Sequence, residues 1–167
     1  MKALSLTQPW ATAIILGVKQ VETRSWSTNY RGLIAIHAAK TFPKWAKDFA
    51  NTEYTLGRLP CIYPLGAIIG LAKIAEVGRT EFVQFAVSAI ERLYGDYSEG
   101  RYGWRLTDVI ALPEPIPCKG ALGLWNVPQD IETLIRKTTS PAPLRGDAND
   151  AKFLLGMNAE VSFGRNR

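Results

Sequence analysis

The sequence predicts an α+β fold, and three observations predict it. Six stretches read as strands, at residues 2–6, 19–26, 32–39, 66–77, 102–112 and 119–127. Between and after them lie short segments with apolar side chains at helical spacing, at residues 9–16, 43–49, 80–93 and 130–137. The chain has 167 residues, one domain's worth with at most a small appendage, and its 47% hydrophobic content is enough to bury a core.

Taken in order, residues 2–6 alternate weakly, with Leu4 and Leu6 pointing one way, and are expected to form a strand central to the sheet. Thr7 or Gln8 followed by Pro9 signals a helix start, because the missing N–H of proline costs nothing in a first helical turn. The helix is expected to pass through Ala11, Ile14 and Ile15 and to stop at Gly17, since glycine reaches the positive φ beyond a helix end without a Cβ clash. In strand 19–26, Gln20, Glu22, Arg24 and Trp26 share one face, and Val21, Thr23 and Ser25 share the other. A carboxylate, a guanidinium and an indole therefore stand in a row, their α-carbons about 7 Å apart.

Residues 27–31, STNYR, form a polar turn into strand 32–39. Leu33, Ala35 and His37 lie on one face of that strand and Ile34, Ile36 and Ala38 on the other, so it is expected to be buried on both sides. Residues 43–49 are expected to form a short helix with Trp45 and Phe49 as its buried stripe. The stretch 51–64, with Gly57, Pro60 and Pro64, reads as an irregular connection. The two glycines in 66–77, GAIIGLAKIAEV, suggest a bend or bulge of the kind that closes a barrel.

Residues 80–93 place Phe82, Phe85, Ala86, Ala89, Ile90 and Leu93 on one helical stripe expected to pack in the core, with Thr80 as N-cap and Gly95 past the end. The turn-rich GDYSEGRYG at 95–103, which includes Arg101, is expected to form one lip of a cleft. In strand 102–112, Tyr102, Trp104 and Leu106 stand together. Pro113, Pro115 and Pro117 cannot donate ladder hydrogen bonds, which demands an edge or a connector. Strand 119–127 ends near Trp125, and a short amphipathic helix follows through Ile131, Leu134 and Ile135. Beyond it, TTSPAPLRGD at 138–147 is linker-like and residues 151–157 form another short apolar patch.

Charge is distributed unevenly. Residues 1–47 carry seven basic side chains (Lys2, Lys19, Arg24, Arg31, Lys40, Lys44 and Lys47) against one acid, Glu22, a net of +6, whereas the whole chain carries +5. The row on strand 19–26 has a plain reading as the solvated face of an edge strand. A cationic segment interleaved with Trp10, Trp26, Tyr30 and Trp45 is also the composition of a surface that meets phosphates and stacks on bases.

The runs QPWA, GVKQVETRSW and the Thr28–Tyr30–Arg31–Gly32 segment, with the hydrophobic strand to His37, resemble the ASCH domain (activating signal cointegrator homology), a branch of the PUA-like superfamily. The central pattern GxKxxExR is carried by Gly17, Lys19, Glu22 and Arg24. Strand 66–77, GWRL at 103–106 and KGALGLWNV at 119–127 continue the resemblance in order, so it covers roughly residues 2–128. It implies a PUA-like mixed β-barrel of five to six strands with flanking helices over residues 1–128. Residues 129–167 would form a C-terminal extension, partly helical or flexible. It also implies a cleft beside the motif strand that takes RNA, DNA or another nucleic-acid-derived ligand.

In that cleft Lys19, Arg24 and Arg31 would meet phosphates, Trp26 or Tyr30 would stack on bases, and Glu22 would hold a cation or accept from a base edge. Thr28, His37 and Trp104 complete the candidate surface. His37 has a second reading, as a hydrogen-bonded core residue. Some bacterial ASCH-like proteins are amidohydrolases that deacetylate acetylated cytidine with a lysine, a threonine three positions later and a distant glutamate. Lys19 matches that lysine, but Glu22 fills the threonine's place without its hydroxyl, and Glu76, Glu81 and Glu91 are all open for the glutamate. An amidohydrolase acting on a modified nucleoside through Lys19 and Glu22 is thus the alternative to nucleic-acid binding.

Cys61 and Cys118 lie far apart without a CxxC partner and His37 is the only histidine, so neither a zinc site nor a disulfide framework is expected, and no cofactor. No signal peptide or membrane span is read in the chain. The expectation is a cytoplasmic monomer whose partner is RNA or DNA and not a membrane.

Overall fold

Residues 1–139 are described by the computed structural model. Its strands are β1 (Lys2–Leu6), β2 (Val21–Arg24), β3 (Gly32–Ala38), β4 (Ala67–Arg79), β5 (Tyr102–Pro117) and β6 (Leu124–Asn126). They join in one mixed sheet in the order β2-β5-β4-β3-β1-β6. β1 and β3 run parallel, and every other neighbouring pair is antiparallel. With β2 and β6 at the two ends of the order, the sheet forms a half-barrel flanked by helices.

The helices are α1 (Trp10–Ile15), α2 (Lys44–Ala50), α3 (Thr80–Val83), α4 (Ala89–Leu93) and α5 (Gln129–Thr139). α1 is held at its start by Gln8, whose buried side chain accepts from the Thr12 N–H at 3.1 Å and donates to the Pro64 carbonyl at 3.0 Å. It ends where expected, with Gly17 at φ +72°. Ala11 and Ile14 pack with Leu4, Leu6, Ile34, Ile36 and Trp104 on one face of the sheet. Ala3, Ala35, Ile68, Leu71 and Leu112 form a second core on the other face. β3 is thus buried on both sides, as its doubly apolar pattern predicts.

β4 and β5 carry the curvature. Their register shifts between Ile68 and Gly70, between Leu71 and Lys73, and between Ile74 and Glu76. Each irregularity adds local twist and bends the strand pair, the role expected of the glycines in this stretch. The three prolines lie inside β5, which is longer than expected, but β2 covers only Tyr102–Arg105 of its other side. Pro113, Pro115 and Pro117 therefore occupy a stretch paired on one side alone, where a missing N–H is tolerated.

Two helical expectations are corrected. The stretch 80–93 is three short pieces, α3, a 3₁₀ turn at Gln84–Ala86, and α4, and its aromatic stripe faces solvent, with Phe82 75% and Phe85 81% exposed. Helical spacing defines a face but not whether that face meets a core. The break falls where Ser88 caps α4, accepting from the Glu91 N–H at 3.0 Å, and Thr80 donates its hydroxyl to Ser98 O instead of capping. On α2 the buried residue is Ala46, while Trp45 is 61% exposed.

α5 packs against the body. Ile135 is fully buried in the second core, Ile131 is packed beside it, and Leu134 faces out at 47% exposure. The start of the expected extension is therefore part of the packed domain. Residues 140–167, where the sequence predicts a linker and an apolar patch at 151–157, lie outside the described residues. Ile135→Ala is expected to cost ~2–5 kcal/mol in urea unfolding. Leu134→Ala should cost less than ~1 kcal/mol; equal effects would contradict this docking of α5.

Candidate functional site

Beside β2 lies a cleft of about 420 Å³. Its floor comes from Leu6, Glu22, Thr23 and Arg24, one wall from Trp10, Trp45 and Phe49, and the other from Leu93–Asp96 and Arg101. The turn-rich segment 95–103 thus supplies a lip, as expected from its composition.

Lys19 is the centre of the construction. Its side chain is fully buried, and its ammonium donates to the carbonyls of Val21 and, at 3.0 Å, Tyr94. Glu22 Oε2 stands 3.6 Å away. An ammonium has three N–H donors, and here three acceptors surround it. Tyr94 closes α4, so this one side chain ties the second wall to the motif strand. Glu91 does the same with opposite polarity, its buried carboxylate accepting the backbone N–H groups of Gln20 at 2.8 Å and Val21 at 3.0 Å. Thr23 Oγ1 accepts from the Asp96 N–H at 2.9 Å, which fixes the lip.

Glu22 is 7% exposed and sits between two cations, with Arg24 Nη1 3.4 Å from its Oε1. Arg24 is half-buried and lies over the Trp26 ring, 5.7 Å from its centroid. Arg101 pairs with Asp96 at 3.3 Å. The opposite wall is aromatic: Trp10 stacks on Phe49 at 5.0 Å between ring centroids and meets Trp45 at 5.5 Å. Burial, then the Glu91 and Glu22 carboxylates, push the Tyr97 phenol above its ordinary range.

Of the sequence-predicted site residues, Glu22 and Arg24 line the cleft and Lys19 braces it from beneath. Lys19 has no exposed surface for a phosphate, because β2 is shorter than expected and the lysine turns inward ahead of it. Trp26 is half-buried, edge-on to Trp104 at 4.6 Å, and Trp104 itself is fully buried in the core with no stacking face. Thr28, Tyr30 and Arg31 serve their own turn: Thr28 Oγ1 accepts from the Tyr30 N–H, and Arg31 donates to the Thr28 and Tyr30 carbonyls. His37 lies on the opposite face of the sheet, in register with Ser5 on β1. The alternation of strand 32–39 already separates it from Ile36 and Ala38.

Sequence reading missed the tie made by Glu91 and the exposed ledge of Trp45. A signal for the first was present, since Ser88-x-x-Glu91 is a capping-box pattern that starts a new helix. Nothing in the sequence marks Trp45 as exposed. Of the three glutamates left open, the Glu91 carboxylate holds backbone N–H groups, Glu81 accepts from the Gly100 N–H at 2.9 Å, and Glu76 is exposed; neither Glu81 nor Glu76 lines the cleft.

The ASCH domain family model matches residues 4–116. Activating signal cointegrator 1 of Homo sapiens is 38% identical over 80 residues, 44% of this chain, and its Mus musculus counterpart is 35% identical over 80 residues. The chain spans only 14% of the length of either relative. Among solved structures, ASCH from Zymomonas mobilis superposes with a TM-score of 0.53 at 19% identity, covering 83% of this chain and 95% of that one. A mutant form of the same protein gives 0.54, covering 83% and 98%.

Lys19→Met would strand two buried carbonyls and leave the Glu22 carboxylate with Arg24 alone, and we expect a loss of ~3–5 kcal/mol in urea unfolding. Arg24→Ala, at a partly exposed pair, should cost no more than about 1 kcal/mol. The reverse order would contradict the bracing role of Lys19.

Proposed function

This chain belongs to the ASCH domain family, and from that premise we propose that it binds single-stranded RNA, receiving an unpaired base in the cleft beside β2. The observation that carries the reading is the Glu22 carboxylate, held in the floor between Lys19 and Arg24 and faced by an exposed tryptophan. A base stacked on Trp45 presents its edge toward a fixed acceptor suited to an amino or imino N–H. Arg24, the least buried member of the Lys19–Glu22–Arg24 row, is free on one side to meet the adjoining phosphate.

The amidohydrolase alternative has less to support it. Three acceptors already engage the Lys19 ammonium, Glu22 supplies no hydroxyl, and the Thr23 hydroxyl accepts from Asp96. Release of cytidine from acetylated cytidine, followed by chromatography and lost in Glu22→Gln, would nonetheless make the cleft catalytic.

The test is fluorescence anisotropy with a labelled single-stranded RNA oligomer. Trp45→Ala is expected to weaken binding by about 5- to 150-fold, the range for one stacked base at ~1–3 kcal/mol. Arg24→Glu should weaken it and reduce the salt slope by about one phosphate contact. Trp45→Ala should keep the thermal midpoint of the parent, and Arg24→Glu, which sets a carboxylate beside Glu22, should lower it while leaving the protein folded at the assay temperature. Unchanged affinity in both would overturn the assignment.

A further inference from the structure

A second cavity, of about 760 Å³, opens on the other face of the sheet. Its floor is Ser5 and His37, neighbours in the β1–β3 register. His37 is 2% exposed, and its Nε2 lies 2.9 Å from the Cys118 carbonyl. A carbonyl only accepts, so Nε2 carries the hydrogen and donates, and in the neutral ring Nδ1 is left as an acceptor. That Nδ1 is buried and has no hydrogen-bond partner. An unmatched buried acceptor is costly to keep, which calls for an explanation.

The cover over this acceptor is unusual. A Cβ on Gly120 would stand 2.5 Å from His37 Cε1 and 2.7 Å from both His37 Nδ1 and Ser5 Oγ. The φ of Gly120 lies outside the left-handed range, so backbone conformation does not demand glycine here. Close approach does. Ser5 Oγ accepts the Trp125 indole N–H at 3.0 Å and keeps its own proton to donate. At the rim, Lys40 and Lys119 are exposed, and neither forms an ion pair with a carboxylate among the described residues. Leu65 and Leu122 provide apolar walls, Leu122 being 98% exposed.

We propose that this cavity is a second ligand site, separate from the cleft, which takes a nucleoside monophosphate when the segment bearing Gly120 lifts from His37. An N–H of the base then meets Nδ1, the leucines cover the base, and the phosphate meets Lys40 and Lys119. A body of this size with a hydrogen-bond donor at one end and an anion at the other satisfies all three features at once. Burial holds the proton affinity of His37 below its ordinary value, so the ring stays an acceptor at neutral pH.

The test is titration of ¹⁵N-labelled protein with AMP, CMP, GMP and UMP, with uncharged nucleosides and inorganic phosphate as comparison arms. The indole signal of Trp125, bonded to Ser5, is expected to move saturably with at least one nucleotide. The matching nucleoside should bind at least tenfold more weakly, and so should the nucleotide to the surface variant Lys40→Glu/Lys119→Glu. Gly120→Ala, which fills the space against His37, should abolish the Trp125 shift; the surface variant keeps the test decisive if Gly120→Ala does not fold. No saturable Trp125 shift with any of the four nucleotides overturns the proposal, as does equal response to inorganic phosphate. Shifts confined to the Trp10 and Trp45 indoles also overturn it, and place the nucleotide in the cleft instead.

Discussion

The Lys19 ammonium is the interaction on which the cleft depends. Buried charges are tolerated only where hydrogen-bonding partners replace water, and here two carbonyls and a carboxylate do so. Because those partners belong to β2 and to the end of α4, the same contact fixes the distance between floor and lip. Glu91 makes a matching tie in the other direction, through the N–H groups at the start of β2. The segment between α1 and β2 is thus gripped by a cation and an anion that both lie out of solvent. Glu22 is consequently positioned before any ligand arrives, which reduces the ordering cost that binding would otherwise carry.

The basic run in the first 47 residues does not form one surface. Lys19 goes inward, Arg24 faces the cleft, Lys44 pairs with Asp48, and Lys40 reaches the rim of the cavity on the opposite face. With Asp96 and Arg101 paired on the lip, the cleft carries mixed charge and is less cationic than the run implies. On the proposed reading, its selectivity would rest on a hydrogen-bond acceptor and an aromatic ledge more than on a broad positive field. The sheet separates this cleft from the His37 cavity, since Leu6 and Ser5 are consecutive residues on opposite faces.

Much of the fold was legible because strand alternation is a local property. β1, β3 and the start of β5 follow it directly, and the proline-rich stretch of β5 is on an open side as the missing donors require. The family resemblance supplied the barrel architecture and drew attention to Gly17, Lys19, Glu22 and Arg24. What the sequence could not convey is which apolar face meets a core. Phe82 and Phe85 sit at helical spacing yet face solvent, because the segment breaks at Ser88 and its pieces are too short to lay a continuous stripe on the sheet. Nor does a lysine in a motif reveal whether its ammonium is at the surface; for Lys19 that depends on Tyr94, 75 residues further along the chain.

The five tryptophans offer the most direct measurement, since Trp10 and Trp45 report on the cleft, Trp104 on the core and Trp125 on the opposite face. In a ¹⁵N correlation spectrum recorded with a short single-stranded RNA, the account predicts that the Trp10 and Trp45 indole signals move together while Trp104 stays in place. An RNA that binds while both cleft indoles remain unmoved would contradict it.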